Sequence, residues 1–324
     1  MALKARIAIG ALVALCLALT VTVFVVATTA NEAQSKNSGA PHHYADELRD
    51  YGVCMGLDEK CYNGNWTPPF KRNEVPRVLV FSRTAGPRHA HLGPELDSGL
   101  NPPLGPGNVA QQAIVDWGAE YGFQVDWTED LSWFGNASRL RNYNTIVFLS
   151  NTRDFLDDAA QTALMQYIRS GGGFVAIHNP LGAEYNWDYF QGLLGGANFY
   201  DHGPRRPGVV VTESRKDVST KDLPQRWNFA DEWYNLEPMP SPLVRILAKV
   251  DTKTLNPVGG SVHPGHAGNH PVSWCHYFDG GRAWVTSLGH DNGAWQGTTE
   301  GSQYFKQHVL GGILSTAGVK PFCK

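Results

Sequence analysis

Histidine is the residue type in this chain whose number and placement most suggest chemistry. Twelve histidines occur among 324 residues. Imidazole serves as an acid, a base or a metal ligand near neutral pH, so histidines that meet at one point can form a catalytic or metal site. Four of them follow strand-like segments: His89, His178, His202 and His290. The alternative for each is a structural role, with the ring held by a backbone hydrogen bond.

Two acidic residues precede two aromatic residues in the segment 231–234, Asp-Glu-Trp-Tyr. The Glu232 carboxylate could act as an acid–base group or bind a metal. Trp187, Trp233 and Tyr234 are expected to form the apolar walls of a sugar site, because aromatic rings pack well on the C–H faces of a pyranose. The alternative is that these rings fill the core.

Further substrate contacts are expected from three histidines, namely His202, His270 and His290. A divalent metal is compatible with these residue types. However, no local ligand motif such as H-E-x-x-H is present, so the sequence leaves the metal ligands unknown. His263 and His266 form an H-x-x-H pair in a Gly- and Pro-rich loop, which is more typical of a solvated loop than of a metal site.

Several function classes are disfavoured by what the sequence lacks. There is no G-x-S-x-G motif of a serine hydrolase, no P-loop and no G-x-G-x-x-G fingerprint. The net charge is −3 with acidic and basic residues interspersed, so no basic stripe for a nucleic acid appears. The expected partner is therefore a carbohydrate or another small molecule.

Alternating strand-like and helix-like segments predict the scaffold that positions these side chains. Continuous apolar runs at 78–81, 146–149 and 174–177 are typical of strands buried on both faces. With the helical spacing between them, they predict an α/β fold with a doubly wound, mostly parallel sheet. The second half adds strands, including a hairpin around 279–281. Ligands bind at the carboxyl ends of such strands, so His89, His178, His202, Glu232 and His290 are expected to line one cleft.

The N-terminal segment predicts export. Lys4 and Arg6 precede a long apolar run, so residues 1–30 form a signal peptide or, given the length of the run, a signal anchor. Residues 31–75 would then be an extracytoplasmic spacer. The protein is expected to be secreted or anchored in the membrane, with its main domain outside the cytoplasm.

Four cysteines lie outside the apolar run, an even number that suits disulfides in an oxidising compartment. Three pairings are possible. The short spacing favours Cys54 with Cys61 and leaves Cys275 for Cys323, whereas a free core thiol at Cys275 is the alternative. N-glycosylation sequons begin at Asn65 and Asn136.

Several motifs, taken in chain order, resemble the ThuA-like (trehalose-utilisation) family. The matching segments are Val78-Leu79-Val80-Phe81-Ser82, Gly171-Gly172-Gly173-Phe174-Val175-Ala176-Ile177-His178, Glu184-Tyr185-Asn186-Trp187, Asp231-Glu232-Trp233-Tyr234-Asn235, His270-Pro271-Val272-Ser273-Trp274-Cys275-His276 and Leu288-Gly289-His290. The resemblance covers about residues 76–318 and leaves 319–324 as a C-terminal tail. It implies a class I glutamine amidotransferase-like sheet of the flavodoxin-like type.

The resemblance also implies a function. In active amidotransferases of this fold a cysteine occupies the turn after a central strand. His178 stands at that turn here, so no glutaminase activity is expected. The family name implies work on a carbohydrate, such as the cleavage or conversion of a 3-keto-glycoside, with His178, Glu232 and His89 as catalytic acid–base groups. A non-catalytic carbohydrate-binding or surface protein and a metal-dependent oxidoreductase are the alternatives.

Overall fold

A ten-stranded mixed sheet runs through residues 53–62 and 73–324, the part of the chain that the computed structural model describes. The strands are β1 (Met55–Gly56), β2 (Arg77–Phe81), β3 (Gln124–Thr128), β4 (Thr145–Leu149), β5 (Gly173–Ile177), β6 (Phe199–His202), β7 (Arg206–Thr212), β8 (Arg226–Asp231), β9 (Tyr234–Leu236), β10 (Arg245–Val250), β11 (Pro271–Phe278) and β12 (Gly281–Thr286). The helices are α1 (Val109–Tyr121), α2 (Leu131–Phe134), α3 (Ala137–Leu140), α4 (Asp158–Arg169), α5 (Asp188–Leu193), α6 (Asn292–Gln296) and α7 (Ser302–Thr316). Short 3₁₀ turns lie at Ala90–Leu92, Asn179–Gly182 and Thr252–Thr254.

The strand order is β3-β2-β4-β5-β12-β11-β10-β7-β8, with β1 beside β11. Strands β2, β3, β4, β5 and β12 run parallel, and we call them the parallel half. Strands β7, β8, β10 and β11 pair antiparallel and form the antiparallel half. A separate two-stranded ribbon joins β6 and β9. This architecture confirms the predicted α/β fold, with the predicted hairpin as β11 and β12.

Strands β2, β4 and β5 of the parallel half are buried on both faces, as their apolar runs predict. Successive residues of β2 face opposite cores: Leu79 and Phe81 pack on the α4 side, whereas Val78 and Val80 pack on the side of α1 and α7. Because side chains alternate along a strand, an uninterrupted apolar run supplies both layers at once. Helix α4 begins where the sequence indicates, since the Asp157 carboxylate caps it by accepting the N–H of Ala160 at 2.8 Å.

Two disulfides fasten the ends of the described chain to the sheet. The favoured pairing is confirmed: Cys54 bonds Cys61 and Cys275 bonds Cys323, with Cα atoms 5.2 Å and 5.6 Å apart. The first closes the segment that contains β1, and the second attaches the C-terminal tail to β11. Part of the expected spacer thus belongs to the sheet.

The predicted signal segment 1–30, most of the spacer and the sequon at Asn65 lie outside the described residues. In the ranges 53–62 and 73–324, no helix has the length and apolar character needed to cross a bilayer.

Candidate functional site

The expected histidines and Glu232 converge beyond the carboxyl ends of the strands. His178 directly follows β5, while His89 and His290 lie in the loops after β2 and β12. Glu232 directly follows β8. One potential ligand atom from each of these four side chains lies within 4.8 Å of the others. His202, at the end of β6, reaches the same place, with its Nδ1 3.6 Å from Glu232 Oε1.

The turn at His178 fixes the ring at the centre of this group. Its backbone has φ 65° and ψ −103°, and the side chain is fully buried. Nδ1 donates its proton to the carbonyl oxygen of Ser287 at 2.8 Å, so Nε2 of the neutral ring carries a lone pair. That Nε2 lies 3.1 Å from His89 Nε2 and 2.9 Å from the Tyr234 hydroxyl.

Glu232 links the other two histidines of the cluster. Its Oε2 lies 3.0 Å from His290 Nδ1, although the atoms are not aligned for a hydrogen bond. His202 Nδ1 donates to the carbonyl oxygen of Gly203 at 2.7 Å. The lone pair of neutral His202 is therefore on Nε2, and His202 also lines the cleft described below.

The protonation of the cluster differs among its histidines. Burial alone would lower the pKa of His290, but Glu232 outweighs it and the net shift is upward, so a metal would displace a proton from this ring. Burial, followed by the charge of His89, holds the pKa of His178 well below its usual value. Burial and the charge of His290 lower the pKa of His89 to about 4. Burial alone would raise the pKa of Glu232, but His290 outweighs it and the net shift is downward. Neutral imidazoles and an ionised carboxylate are the forms that bind metals.

Two contacts within the cluster have the spacing of neighbouring ligands on one divalent ion, and all four ligand atoms lie within 4.8 Å of one another. Neighbouring ligands of a tetrahedral zinc with metal–nitrogen bonds of 2.0–2.1 Å are about 3.3 Å apart. The observed 3.1 Å between His89 and His178 and 3.0 Å between His290 and Glu232 are close to this value. The Ser287 carbonyl holds the His178 ring by its other nitrogen, as metal-bound imidazoles usually require. His89, His178, His290 and Glu232 could therefore hold a metal.

Above the cluster lies a cleft of about 540 Å³, within the range of small-molecule sites. Its aromatic walls come from Tyr185, Phe199 and Tyr234, and its polar walls include Arg153 and Asp154. Tyr185 is 40% exposed and donates its hydroxyl proton to the carbonyl of Phe199 at 2.9 Å. Tyr185 lies in one of the motifs that resemble the family, but the sequence predicts no role for it. Nothing in the sequence predicts a role for Phe199 or Arg153 in the site.

Four residues expected to contact substrate do not line this cleft, and neither do His178 and Glu232. His290 belongs to the cluster beside the cleft, and the other three pack elsewhere. Trp233 is only 2% exposed and packs in the core on the other face of β7, with its indole N–H donated to a backbone carbonyl. Trp187 stacks on Tyr189 at 5.5 Å and packs against the α4-side core. His270 is buried and donates to the Tyr234 carbonyl at 2.8 Å, so it supports the site from behind. Trp233 lies in the connection between β8 and β9, and its neighbour Tyr234, the first residue of β9, lines the cleft instead.

Backbone strain is concentrated around the same cleft. Four non-glycine residues with positive φ surround it, namely Ser150, Arg153, His178 and Glu184, with φ between 49° and 65°. Such conformations cost on the order of 1–3 kcal/mol each and persist where function requires them. The strain therefore marks the carboxyl edge of the parallel half as the functional region.

The fold and the cluster together define an α/β protein with a group of histidines and a glutamate at its strand ends that could hold a divalent metal. The chain belongs to the ThuA family, described as "Trehalose utilisation", which it matches over residues 77–315. A ThuA-like protein from Bacteroides uniformis has a similar structure, with a TM-score of 0.59 and 23% identity over 78% of this chain and 100% of that one. A ThuA-like protein from Parabacteroides merdae gives a TM-score of 0.56 and 19% identity over 76% and 91% of the two chains. At these identities the likeness shows the fold alone. No curated protein sequence matches the chain.

Proposed function

We propose that this protein is a divalent-metal-dependent enzyme that cleaves or converts a carbohydrate, with a 3-keto-glycoside as the best-fitting substrate. One observation carries the proposal: three imidazoles and one carboxylate meet within 4.8 Å beside a cleft of small-molecule size, and His89 belongs to both the cluster and the cleft wall. The trehalose-utilisation description of the family supports a sugar as the ligand. The aromatic rings of Tyr185 and Phe199 supply faces on which a sugar ring can pack.

The proposed reaction is an elimination that needs no oxidant. A ketone at C3 acidifies the proton at C2, and a base removes that proton. The electron pair of the C2–H bond forms a C1–C2 double bond, the bond from C1 to the leaving oxygen breaks, and that oxygen takes up a proton. The products are an unsaturated keto sugar and the free alcohol, and hydrolysis would follow by addition of water.

The residues divide these tasks by position. A divalent ion held by His89, His178, His290 and Glu232 would supply positive charge for the ketone oxygen. His202 presents the Nε2 lone pair at the cleft and is suited to remove the C2 proton. Burial raises the pKa of Tyr234 well above its usual value, so its phenol stays protonated. The hydroxyl donates to Asn179 Oδ1 at 2.9 Å and would have to turn from this partner to donate to the leaving oxygen.

The two disulfides are typical of a protein that works in an oxidising compartment. With the basic residues and apolar run at 1–30, they support the proposal that the domain acts outside the cytoplasm, secreted or held by an N-terminal anchor.

The test combines metal removal with matched variants. Protein stripped by a chelator is reloaded with Zn²⁺, Mn²⁺ or Co²⁺, and conversion of methyl 3-keto-glucoside is followed by NMR. We expect turnover only after reloading, and loss of turnover in Glu232→Gln and His178→Ala. His276→Gln is the control, because His276 is a buried histidine that donates to the Gly192 carbonyl away from the cleft. It should retain activity.

Two results would count against the proposal. Full turnover by metal-free protein would exclude the metal requirement. Stoichiometric sugar binding without conversion under any metal would favour the non-catalytic carbohydrate-binding alternative. The same protein should release no ammonia from glutamine, because His178 occupies the turn where a nucleophilic thiol would be needed.

A further inference from the structure

The sheet alone does not explain how Glu232 meets His290. Glu232 follows β8 and His290 follows β12, and these strands are four positions apart in the sheet. Adjacent strands are spaced by about 4.8 Å, so a flat sheet would separate the two strand ends by about 19 Å. The side chains nevertheless approach to 3.0 Å. The antiparallel half must therefore curl until its last strand reaches the parallel half, and something must fix it there.

Asp231, the last residue of β8, makes a polar connection across this gap. Its carboxylate is fully buried. Oδ2 accepts the backbone N–H of Gly289 at 2.7 Å, and Oδ1 accepts those of His290 at 3.1 Å and Glu232 at 2.9 Å. Gly289 has φ +120°, a conformation that suits glycine, so the loop can present two consecutive N–H groups to one carboxylate.

We propose that Asp231 is the positioning residue of the metal centre, which joins the two halves of the sheet and sets the distance between Glu232 and His290. The inference rests on the metal centre of the proposed function. One carboxylate binds the backbone of both of these ligand residues, so it constrains their relative position directly. Three hydrogen bonds with directional geometry hold these backbone groups, as this role requires.

The other polar contacts between these regions do not bind the backbone of a candidate ligand: Asn228 donates to Glu300 Oε1 at 2.7 Å, and Arg205 pairs with Asp291. Apolar contacts add to them. Phe229 in β8 stacks on Phe305 in α7 with ring centroids 5.7 Å apart, and Gly301, which precedes α7, lies against the backbone of Asn228. Apolar packing favours the curl of the sheet, but it is not directional. It can bring β8 near α7 without setting the orientation of a carboxylate or a ring to within a few tenths of an ångström.

Asp231→Asn tests the proposal because it keeps the shape and removes one acceptor. If the amide oxygen keeps the N–H groups of Glu232 and His290, the new NH₂ group faces the N–H of Gly289. Two donors then oppose each other in a buried place, which costs about 1–3 kcal/mol unless the loop moves. Movement of the loop displaces His290 and leaves all four candidate ligands chemically intact.

Cobalt is the probe, because Co²⁺ reports both affinity and coordination geometry. For Asp231→Asn in the full-length protein we expect Co²⁺ to bind about 10–100-fold more weakly, which is the usual effect of losing an outer-shell partner. We also expect an altered d–d absorption spectrum at saturating Co²⁺, which a uniform loss of stability would not produce. Gly289→Ala should alter the spectrum in the same direction with the Asp231 carboxylate still present.

Asp217→Asn is the matched control. Asp217 is also fully buried, and its Oδ1 accepts the N–H and hydroxyl of Ser219 at 2.9 Å and 2.7 Å. It lies in the loop between β7 and β8, outside the cluster. We expect a lower melting temperature with unchanged Co²⁺ affinity and spectrum.

The outcomes are distinguishable. If wild-type protein binds no Co²⁺, the metal centre is wrong and the role of Asp231 falls with it. If wild-type binds and Asp231→Asn binds with the same affinity and spectrum, the positioning role is wrong and the proposed function stands. If Asp217→Asn changes the spectrum as much as Asp231→Asn, the effect is general destabilisation and the inference is overturned.

Discussion

The parallel and antiparallel halves of the sheet contribute to the cleft in different ways. The parallel half supplies His89, His178 and His290, each in the first residues or loop after a strand. These strands lie within the run of four neighbours β2-β4-β5-β12, so their carboxyl ends share one edge of the sheet. The antiparallel half supplies Glu232, whose strand β8 lies at the far edge. Glu232 reaches the three histidines because the antiparallel half of the sheet curves and because Asp231 holds the end of β8 in place.

The histidines outside the cleft show what distinguishes a structural histidine. His270, His276 and His308 are buried, and each donates one ring N–H to a backbone carbonyl. The same bond is present in His178, so a satisfied ring nitrogen does not separate the two classes. The difference is that the second nitrogen of His178 faces another imidazole across 3.1 Å. The site is therefore marked by several side chains that converge on one point. A hydrogen bond to one ring nitrogen does not mark it.

The largest expected effect is a loss of stability in the antiparallel half without a change in metal binding. Cys275→Ser with Cys323→Ser opens a crosslink with a sequence separation of 48 residues. The chain-entropy relation gives a loss of about 4 kcal/mol in the free energy of unfolding, against about 2 kcal/mol for the Cys54–Cys61 pair with its separation of 7. Urea unfolding measures both. Equal losses would contradict the loop-length argument, and Co²⁺ affinity should stay unchanged in the folded protein.

The converse is expected for His178→Ala in the parallel half. The substitution removes a central ligand, and we expect Co²⁺ affinity to fall by more than about 100-fold, since losing even an outer-shell partner costs 10–100-fold. Isothermal titration calorimetry measures this loss. Glu232→Gln should weaken binding less, because the three imidazoles remain. A greater loss for Glu232→Gln would reverse the roles assigned to the two halves.

A smaller effect concerns pH and two buried histidines. Burial lowers the pKa of His276 and of His308 from 6.5 to about 4. Between pH 6.5 and pH 4 these histidines are protonated in the unfolded chain but not in the folded protein. Their contribution to the free energy of unfolding is therefore complete above pH 6.5 and is lost as the pH falls toward 4. Each histidine contributes at most about 1.4 kcal/mol per pH unit.

His276→Gln keeps a donor for the Gly192 carbonyl and removes the titration. Its free energy of unfolding should fall less between pH 6.5 and pH 5 than that of the wild type, by on the order of 1 kcal/mol. Urea unfolding at both pH values provides the comparison. Parallel curves for the two proteins would show that His276 does not carry this dependence.

The smallest expected effect tests which aromatic residues form the wall of the cleft. Tyr185→Ala should raise KM for methyl 3-keto-glucoside by about 3–10-fold, since a ring stacked on a ligand contributes roughly 0.5–1.5 kcal/mol. Trp187→Phe is the control, because Trp187 packs on Tyr189 and the core. Its KM should stay the same. A rise in KM for Trp187→Phe and not for Tyr185→Ala would show that Trp187 forms the wall of the cleft, as the sequence predicts.

Much of the parallel half could be predicted from the sequence because its signals are local. The apolar runs of β2, β4 and β5 fix the buried strands, and the residue directly after each run marks the carboxyl edge. His178 could be placed at the central turn for this reason. The disulfide pairing was also accessible, because the short spacing of Cys54 and Cys61 leaves a single pairing for the others.

The assignment of other residues to the site depended on whether their side chains point into the core or into the cleft. Trp233 and Tyr234 are adjacent and equally aromatic, yet Trp233 fills the core and Tyr234 faces the cleft. His266 accepts the N–H of Leu236 at 2.9 Å and packs against β9, so the H-x-x-H loop is less solvated than expected. The sequence does not specify such pairings, because β6, β9 and the 256–269 loop associate through contacts distant in the chain.

The sequence by itself determined the fold class, the buried strands, the histidines at their ends and the even set of cysteines, because each rests on residue type and short-range periodicity. Only the tertiary structure decided that Glu232 joins the three histidines of the parallel half, that Asp231 holds it there, and that Tyr185 and Phe199 form the wall. These depend on the curl of a sheet in which β8 lies four positions from β12, the nearest strand that supplies a histidine of the cluster. Curvature of that kind is the sum of packing over the whole domain, and no local pattern in the chain encodes it.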